Sequence, residues 1–244
     1  MINLNKESTN PKEGIEKKYA EEETLRLKEK LYKLQNLLYA EHKHSLLIIL
    51  QGMDAAGKDG TIRHVFSSVD PQGCNVKSFK APTEEEASHD FLWRVHPHAP
   101  AKGMIQIFNR SHYEDILFPT IHKTIDKKIL KKRFDIINNF EESLTASGTT
   151  ILKFFLHISR NEQKKRLAER LSNVHKKWKY NPDDLKEAKR WNDYMKVYEH
   201  IFDRCNPSVP WHIVPADHRW YRNYVVAKKI VSTLKDMKMK FPNK

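Results

Sequence analysis

The sequence predicts a three-layer α/β fold: a mostly parallel five-stranded sheet with a helical lid. Three observations predict it. Short apolar runs at Leu46–Leu50, Met104–Phe108, Thr150–Ile158 and Trp211–Pro215 suit strands covered on both faces and are too short for typical helices. Helical periodicities separate these runs, as parallel connections require. The first run also ends in Gly52-x-x-x-x-Gly57-Lys58, a phosphate-binding loop pattern placed between a strand and a helix.

The loop has a physical logic. Glycines let backbone N–H groups turn inward around an anion, the next helix offers its positive end, and Lys58 adds a mobile charge. Gly52, Ala55, Ala56, Gly57, Asp59 and Gly60 are assigned with it to phosphate binding. Two positions depart from the usual loop. Asp59 stands where Ser or Thr normally holds Mg²⁺, and a second carboxylate, Asp54, lies inside the loop where it would repel phosphates. Asp54 therefore reads as a metal ligand or as a group that orients or deprotonates an attacking phosphate. A loop-stabilising Asx-turn is the plainer alternative.

A chain of 244 residues suits one large domain with an inserted lid. Lys and Arg number 44 against 31 Asp and Glu, a net +13 that points to a polyanionic partner. Charge alone does not choose among nucleic acid, an anionic membrane and a chain of phosphates. Cys74 and Cys205 cannot build a disulfide framework or a four-thiolate metal site. With no secretory signal and no long apolar run, a soluble cytoplasmic protein is expected.

Residues 1–18 are polar, contain Pro11 and Gly14, and are expected to form a flexible arm before a domain over 19–244. From Tyr19 to about Glu41, Leu27, Leu31, Leu34 and Leu38 recur at helical spacing. This amphipathic helix is expected on its own domain rather than on a second subunit. Thr61–Val69 reads as the helix that caps the phosphate site, with Arg63 in its first turn. After the Asp70-Pro71-Gln72-Gly73 turn, Asn75–Lys80 reads as a strand that sets Lys80 at the ligand crevice. Ser88–Arg94 reads as one or two helical turns placing Arg94 beside aromatic bulk. His96 and His98 flank Pro97 without a well-spaced third ligand, so they read as loop.

The Met104–Phe108 strand runs into Asn109-Arg110-Ser111-His112-Tyr113-Glu114-Asp115. One Arg and two acids at a strand end meet what phosphoryl transfer needs: a cation for developing charge and oxygens for a metal. Further on, Arg133–Ser147 reads as a helix ended by Gly148. Ser159 is set to cap the next helix, with Glu162 three residues on. Arg166 and Arg170 lie four apart on that helix and share a face, either over the site or in solvent. A basic run from His175 and Lys176 to Lys179 follows that helix, and Trp178 through Tyr180 to Asp184 breaks it and starts the next. The next helix runs to about Arg204, with Trp191, Tyr194, Val197 and Tyr198 inward, giving a lid over about 160–200. Pro207 and Pro210 bracket the loop before the fifth strand, and Arg219–Met237 is a closing amphipathic helix.

Five stretches carry a resemblance: Gly52–Gly60, Ser78–Lys80, Ser88–Arg94, Phe108–Glu114 and the Trp178–Tyr180 turn. Together they resemble the polyphosphate kinase 2 family, most closely its class III, over about Glu41 to Pro242. The resemblance implies a P-loop kinase fold with a lid. It also implies Mg²⁺-dependent transfer (Mn²⁺ as its substitute) between inorganic polyphosphate and AMP, ADP and ATP. Carried over, Asp54 would hold metal and activate the accepting phosphate, Lys58 would bind the transferring group, and Arg110 would stabilise its charge. Arg166 and Arg170 would close over the phosphates, while Lys80 and Arg94 would line the polyphosphate path. Asn109 and Glu114 would contact the nucleotide. Where class I relatives carry Asp, this chain has Asn109, so Glu114 is expected to share the metal with Asp54. The resemblance also suggests a homo-oligomer.

Two rivals make different demands on the residues. An ATP-dependent nucleoside monophosphate kinase predicts Ser or Thr after Lys58 and fewer cations. A nucleic-acid-binding protein with a vestigial loop needs a basic face away from the crevice.

Overall fold

A computed structural model describes residues 2–174, 177–179, 181–205 and 209–242. At its centre lies β1 (Ser45–Gln51), buried along its whole length. It pairs in parallel with β3 (Ile105–Asn109), Leu46 opposite Ile105, and with β4 (Thr149–His157), Leu46 opposite Thr150. Outside these lie β2 (Cys74–Ser78) and β5 (Trp211–Pro215), giving the order β2-β3-β1-β4-β5 with every pairing parallel. The chain thus winds to one side of β1 and then crosses to the other, which makes the C-terminal edge beside β1 the switch-point crevice. The five expected strands are all present. Val76 of β2 is exposed because β2 is an edge, where alternation loses its meaning.

Helices cover both faces. One layer contains α1 (Lys17–Glu41), α2 (Lys58–Val65) and the closing α9 (Arg219–Asp236), which pack on one another. Leu27, Leu31 and Leu38 of α1 are buried there, so the apolar stripe packs on its own domain as expected. The short α3 (Glu84–Ser88) opens with a full capping box, Thr83 and Glu86 each bonding the other's backbone. On the other side pack α4 (Glu114–His122), α5 (Lys127–Ala146) and α8 (Trp191–Arg204). Between β4 and α8 run α6 (Arg160–Ser172) and α7 (Pro182–Lys189).

Several boundaries differ from expectation. α2 begins at Lys58 rather than Thr61, so Arg63 lies beyond the first turn and faces solvent. The helix after the crevice, α4, hides its character behind Pro119 in its interior. A proline cannot bond the carbonyl four residues back, and here Arg133 Nη1 donates to that Asp115 carbonyl at 2.5 Å. The long helix expected up to Arg204 divides at Arg190 into α7 and α8. His175, Lys176, Tyr180 and Pro207 lie outside the described residues, and 177–179 form one 3-10 turn.

The expected loose arm is docked instead. Leu4 is buried, its N–H donates to Glu199 Oε1 at 2.8 Å, and its carbonyl meets His157 Nε2 at 3.1 Å. Thr9 Oγ1 donates to Asp217 Oδ2 at 2.8 Å. Ile2 and Ile15 also pack against the core, so a few apolar side chains anchor an otherwise polar stretch.

Candidate active site

β1 ends at the crevice and the chain turns at once into the phosphate loop. Gly52 has φ +149°, and a Cβ there would lie 2.8 Å from the Leu156 carbonyl oxygen of β4's C-terminal half, so only glycine fits. Gly57, at φ +108°, precedes α2 without any side-chain cap. The first-turn N–H groups of α2 therefore point to an anion site. Lys58 is buried and bends back, its Nζ donating to the Gly52 carbonyl at 2.7 Å and the Met53 carbonyl at 3.3 Å. Burial, then the Arg110 charge, push its ammonium below the ordinary lysine value.

Across from the loop, Arg110 follows β3 directly. Its backbone is left-handed at φ +62°, and its N–H still bonds the Leu50 carbonyl at 3.1 Å. That turn aims the guanidinium at the loop, where Nη2 donates to Asp54 Oδ1 at 2.6 Å. Burial by itself would raise the Asp54 carboxyl, but Arg110 and Lys58 more than cancel this and hold it below the usual range. The carboxylate nearest the phosphate cradle is thus ionised at neutral pH. Glu114, at the start of α4, is a second acid in the same field: burial raises it, Arg110 and Lys58 oppose, and Asp54 raises it further. Glu114 and Asp54 in turn raise Arg110, so one guanidinium sits between two carboxylates. Asn109 Nδ2 donates to Asp59 Oδ1 at 2.8 Å, tying the end of β3 to the first turn of α2.

Arg170 comes from α6, its Nη1 donating to Asp184 Oδ2 of α7 at 2.6 Å and its charge reaching Asp54. Lys80 is exposed just past β2, at the expected strand end. Two expected phosphate ligands serve other partners. Arg94 is buried, with Nη2 on Asp115 Oδ2 at 2.9 Å and Nη1 on the Lys80 carbonyl at 2.8 Å, so it struts the β2 exit against α4 rather than lining a path. Arg166 is also buried, and its guanidinium faces the rear of the loop. Nη1 donates to the Ala55 and Ala56 carbonyls, each at 3.0 Å, and Nη2 to those of Ala216 and Asp217 at 2.7 and 2.8 Å. Glu162, expected to complete a capping box, takes Arg166 Nε at 2.7 Å instead, while Ser159 caps α6 as expected.

Three further residues belong to the site and gave no signal in sequence. Gln163 Nε2 donates to the Asp54 carbonyl at 3.1 Å, Gln51 at the end of β1 donates from Nε2 to Ser111 Oγ at 3.2 Å, and Arg222 of α9 donates to the Ala56 carbonyl at 3.3 Å. All three are polar residues on otherwise ordinary strands and helices, and only tertiary packing brings them here.

A family model described as polyphosphate kinase 2 matches residues 14–242. This chain belongs to the polyphosphate kinase 2 family. It is 48% identical over 217 residues to the AMP/ADP-polyphosphate phosphotransferase of Meiothermus ruber, covering 88% of this chain and 81% of that one. It is 44% identical over 227 residues to the ADP-polyphosphate phosphotransferase of Rhodopseudomonas palustris, covering 88% and 78%. The solved polyphosphate kinase 2 of Arthrobacter aurescens TC1 superposes with a TM-score of 0.93 at 42% identity, covering 98% of this chain and 86% of that one. The P-loop α/β fold expected from sequence is the fold of this family.

Among the described residues no group of three or more His, Cys, Asp and Glu is arranged to hold a metal. Polyphosphate kinase 2 residues here offer two acids, Asp54 and Glu114, around Arg110. Mg²⁺ is commonly held by one or two carboxylates, with phosphate oxygens and water completing its shell. The hard oxygen donors and the mutual repulsion of Asp54 and Glu114 fit such an ion arriving with its phosphates.

Proposed function

We propose that this polyphosphate kinase 2 transfers phosphate between inorganic polyphosphate and nucleotides, takes both AMP and ADP as acceptors, and works with Mg²⁺, or Mn²⁺ in its place. The observation that carries this reading is the 2.6 Å pair between Asp54, inside the phosphate loop, and Arg110 at the end of β3. It sets an ionised acid and a cation side by side against the phosphate loop.

Phosphoryl transfer asks a protein for positioning and charge stabilisation more than for covalent chemistry. The N–H groups of α2's first turn and Lys58 receive the donor phosphate, Arg110 faces the charge that develops on the transferring group, and Asp54 orients the accepting phosphate. Asp54 and Glu114 are the residues that would hold Mg²⁺, which when bound neutralises phosphate charge. Arg170 reaches the site from the lid, and water exclusion follows when α6 and α7 close over the loop. Asp59 after Lys58 and the acid inside the loop both count against a nucleoside monophosphate kinase using ATP as donor.

The +13 charge suits a long chain of phosphates better than a single nucleotide. Polyphosphate and nucleotides, rather than nucleic acid or membrane, are the partners we assign, in the cytoplasm. Among the described residues no helix is long and apolar enough to cross a membrane. We keep a homo-oligomer, since Leu25, Tyr32 and Tyr39 leave an apolar stripe exposed along α1. Incubating the protein with polyphosphate as sole donor tests the assignment: ATP should form from ADP, and from AMP by way of ADP. ADP formed from ATP and AMP with no polyphosphate present would overturn it.

A further inference from the structure

Arg222 sits on the first turn of α9, far in sequence from every motif, and only 2% of it is exposed. Its Nη1 donates to the Ala56 carbonyl at 3.3 Å, and Nη2 and Nε donate to Asn223 Oδ1 at 3.0 and 3.3 Å. The guanidinium also fills the space beside two loop glycines. A Cβ at Gly57 would lie 1.9 Å from Nη1, and one at Gly60 would lie 3.3 Å from Nη2. Arg166 donates to the same Ala56 carbonyl, so two buried cations share one acceptor at the back of the loop. Among the described residues no carboxylate pairs with Arg222. Burial, then Arg166, then Arg219 lower its pKa to about 9.

A buried cation without a counter-ion is costly unless something offsets it. The peptide unit supplies a reason for keeping one here. It is planar and trans, so its C=O and N–H point in opposite directions. With the Ala56 carbonyl fixed to the rear, the Gly57 N–H is directed to the front, at the N-terminus of α2. An anion bound there lies across a single peptide unit from the guanidinium, in a low-dielectric setting that strengthens the attraction.

We propose that Arg222 is a positioning residue for the phosphate loop: it fixes the Ala56–Gly57 peptide from behind and contributes its charge to the binding of an oligophosphate. The inference rests on the reading of Gly52–Gly60 as the phosphate site. In the free protein the uncompensated guanidinium costs stability, and bound oligophosphate returns part of it, so ligand and loop geometry are linked.

Calorimetric titration with inorganic tripolyphosphate, alongside KM for polyphosphate and kcat, tests this on wild type, Arg222→Gln and Arg222→Lys. The expected result is roughly tenfold weaker tripolyphosphate binding and a matching rise in KM for Arg222→Gln, with kcat at saturation within about threefold. Arg222→Lys should recover part of the loss, to about threefold below wild type, because the charge returns without the planar fork. Wild-type binding in both variants, with only the melting temperature lowered, would overturn the proposal. If Arg222→Gln does not fold, Arg222→Lys decides: weaker binding upholds the positioning role and wild-type binding ends it. A wild-type protein that binds no tripolyphosphate would remove the phosphate-loop reading and this inference with it.

Discussion

Arg110 is the residue on which the crevice turns. A non-glycine at φ +62° is held in a sparsely populated conformation, and such strain persists where the surroundings over-determine it. Here the Leu50 carbonyl, Asp54 and Glu114 do so. Arg110→Lys keeps the charge but loses the geometry that reaches Asp54. It should lower kcat by roughly 100-fold, as removal of a transition-state donor does elsewhere. The melting temperature should move by only about 1–2 °C, since the pair is partly exposed. Steady-state kinetics beside a thermal melt checks both. At this scale the sequence was informative where a motif fixes the backbone. Asp54, Lys58 and Arg110 lie at loop and strand ends whose direction the fold dictates. Arg166 was legible as a basic residue on the right helix but not as one facing the rear of the loop. Four residues place Arg170 on the same side, yet one helical turn separates a loop brace from a partner of Asp184.

At the scale of elements, one buried network joins the crevice to the end of α8. Lys153, in the middle of β4 and wholly buried, donates to Glu141 Oε2 of α5 at 2.7 Å, to the Tyr113 hydroxyl at 3.0 Å and to the Cys205 carbonyl at 2.6 Å. Tyr113 OH donates to Glu141 Oε1 at 2.8 Å, and the Tyr113 backbone leads straight into Glu114. One ion pair thus ties β4, α5, the start of α4 and the end of α8. Burial would raise Glu141, but His112 and Lys153 hold it below its ordinary 4.5. Because the folded value is the lower one, its contribution is complete above 4.5 and is lost as pH falls through the depressed folded value. Lys153→Met leaves the acid buried without its cation. It should cost about 3–5 kcal/mol and shift acid unfolding to higher pH. Glu141→Gln in the same chain should recover part of the loss, which melts between pH 3 and 7 would show. None of this was readable beforehand, because a lone Lys inside an apolar strand gives no sign of its partner. The bend at Arg190 and helix α4 were hidden for related reasons. Arg190 Nη1 bonds the Ile121 carbonyl at 3.2 Å, a long-range contact, and Pro119 disguises a helix whose lost bond Arg133 replaces.

Across the whole molecule, the strand order came only with the pairing of β1 to both β3 and β4, while the parallel five-stranded sheet followed from alternating apolar runs and helices, since few topologies accommodate them. The arm did not, because Leu4 and Thr9 find their partners near 157, 199 and 217. Those contacts lay the N-terminal segment on the loop after β5, next to the Ala216 and Asp217 carbonyls that Arg166 bonds. The phosphate loop is therefore held from behind by α6, α9 and the β5 exit together, and from in front by Arg110. A rigid cradle of this kind supports positional catalysis, and the acid inside it is the feature that separates it from an ordinary ATP-binding loop.

The most direct test compares wild type with Asp54→Asn in forming ATP from AMP and from ADP, with polyphosphate and Mg²⁺ as the only other reactants. The expected result is ATP from both acceptors in wild type and a loss of at least about 100-fold in kcat for Asp54→Asn, with tripolyphosphate still bound. An Asp54→Asn protein as active as wild type would contradict the role assigned to that carboxylate, and wild type inactive on both acceptors would contradict the function itself.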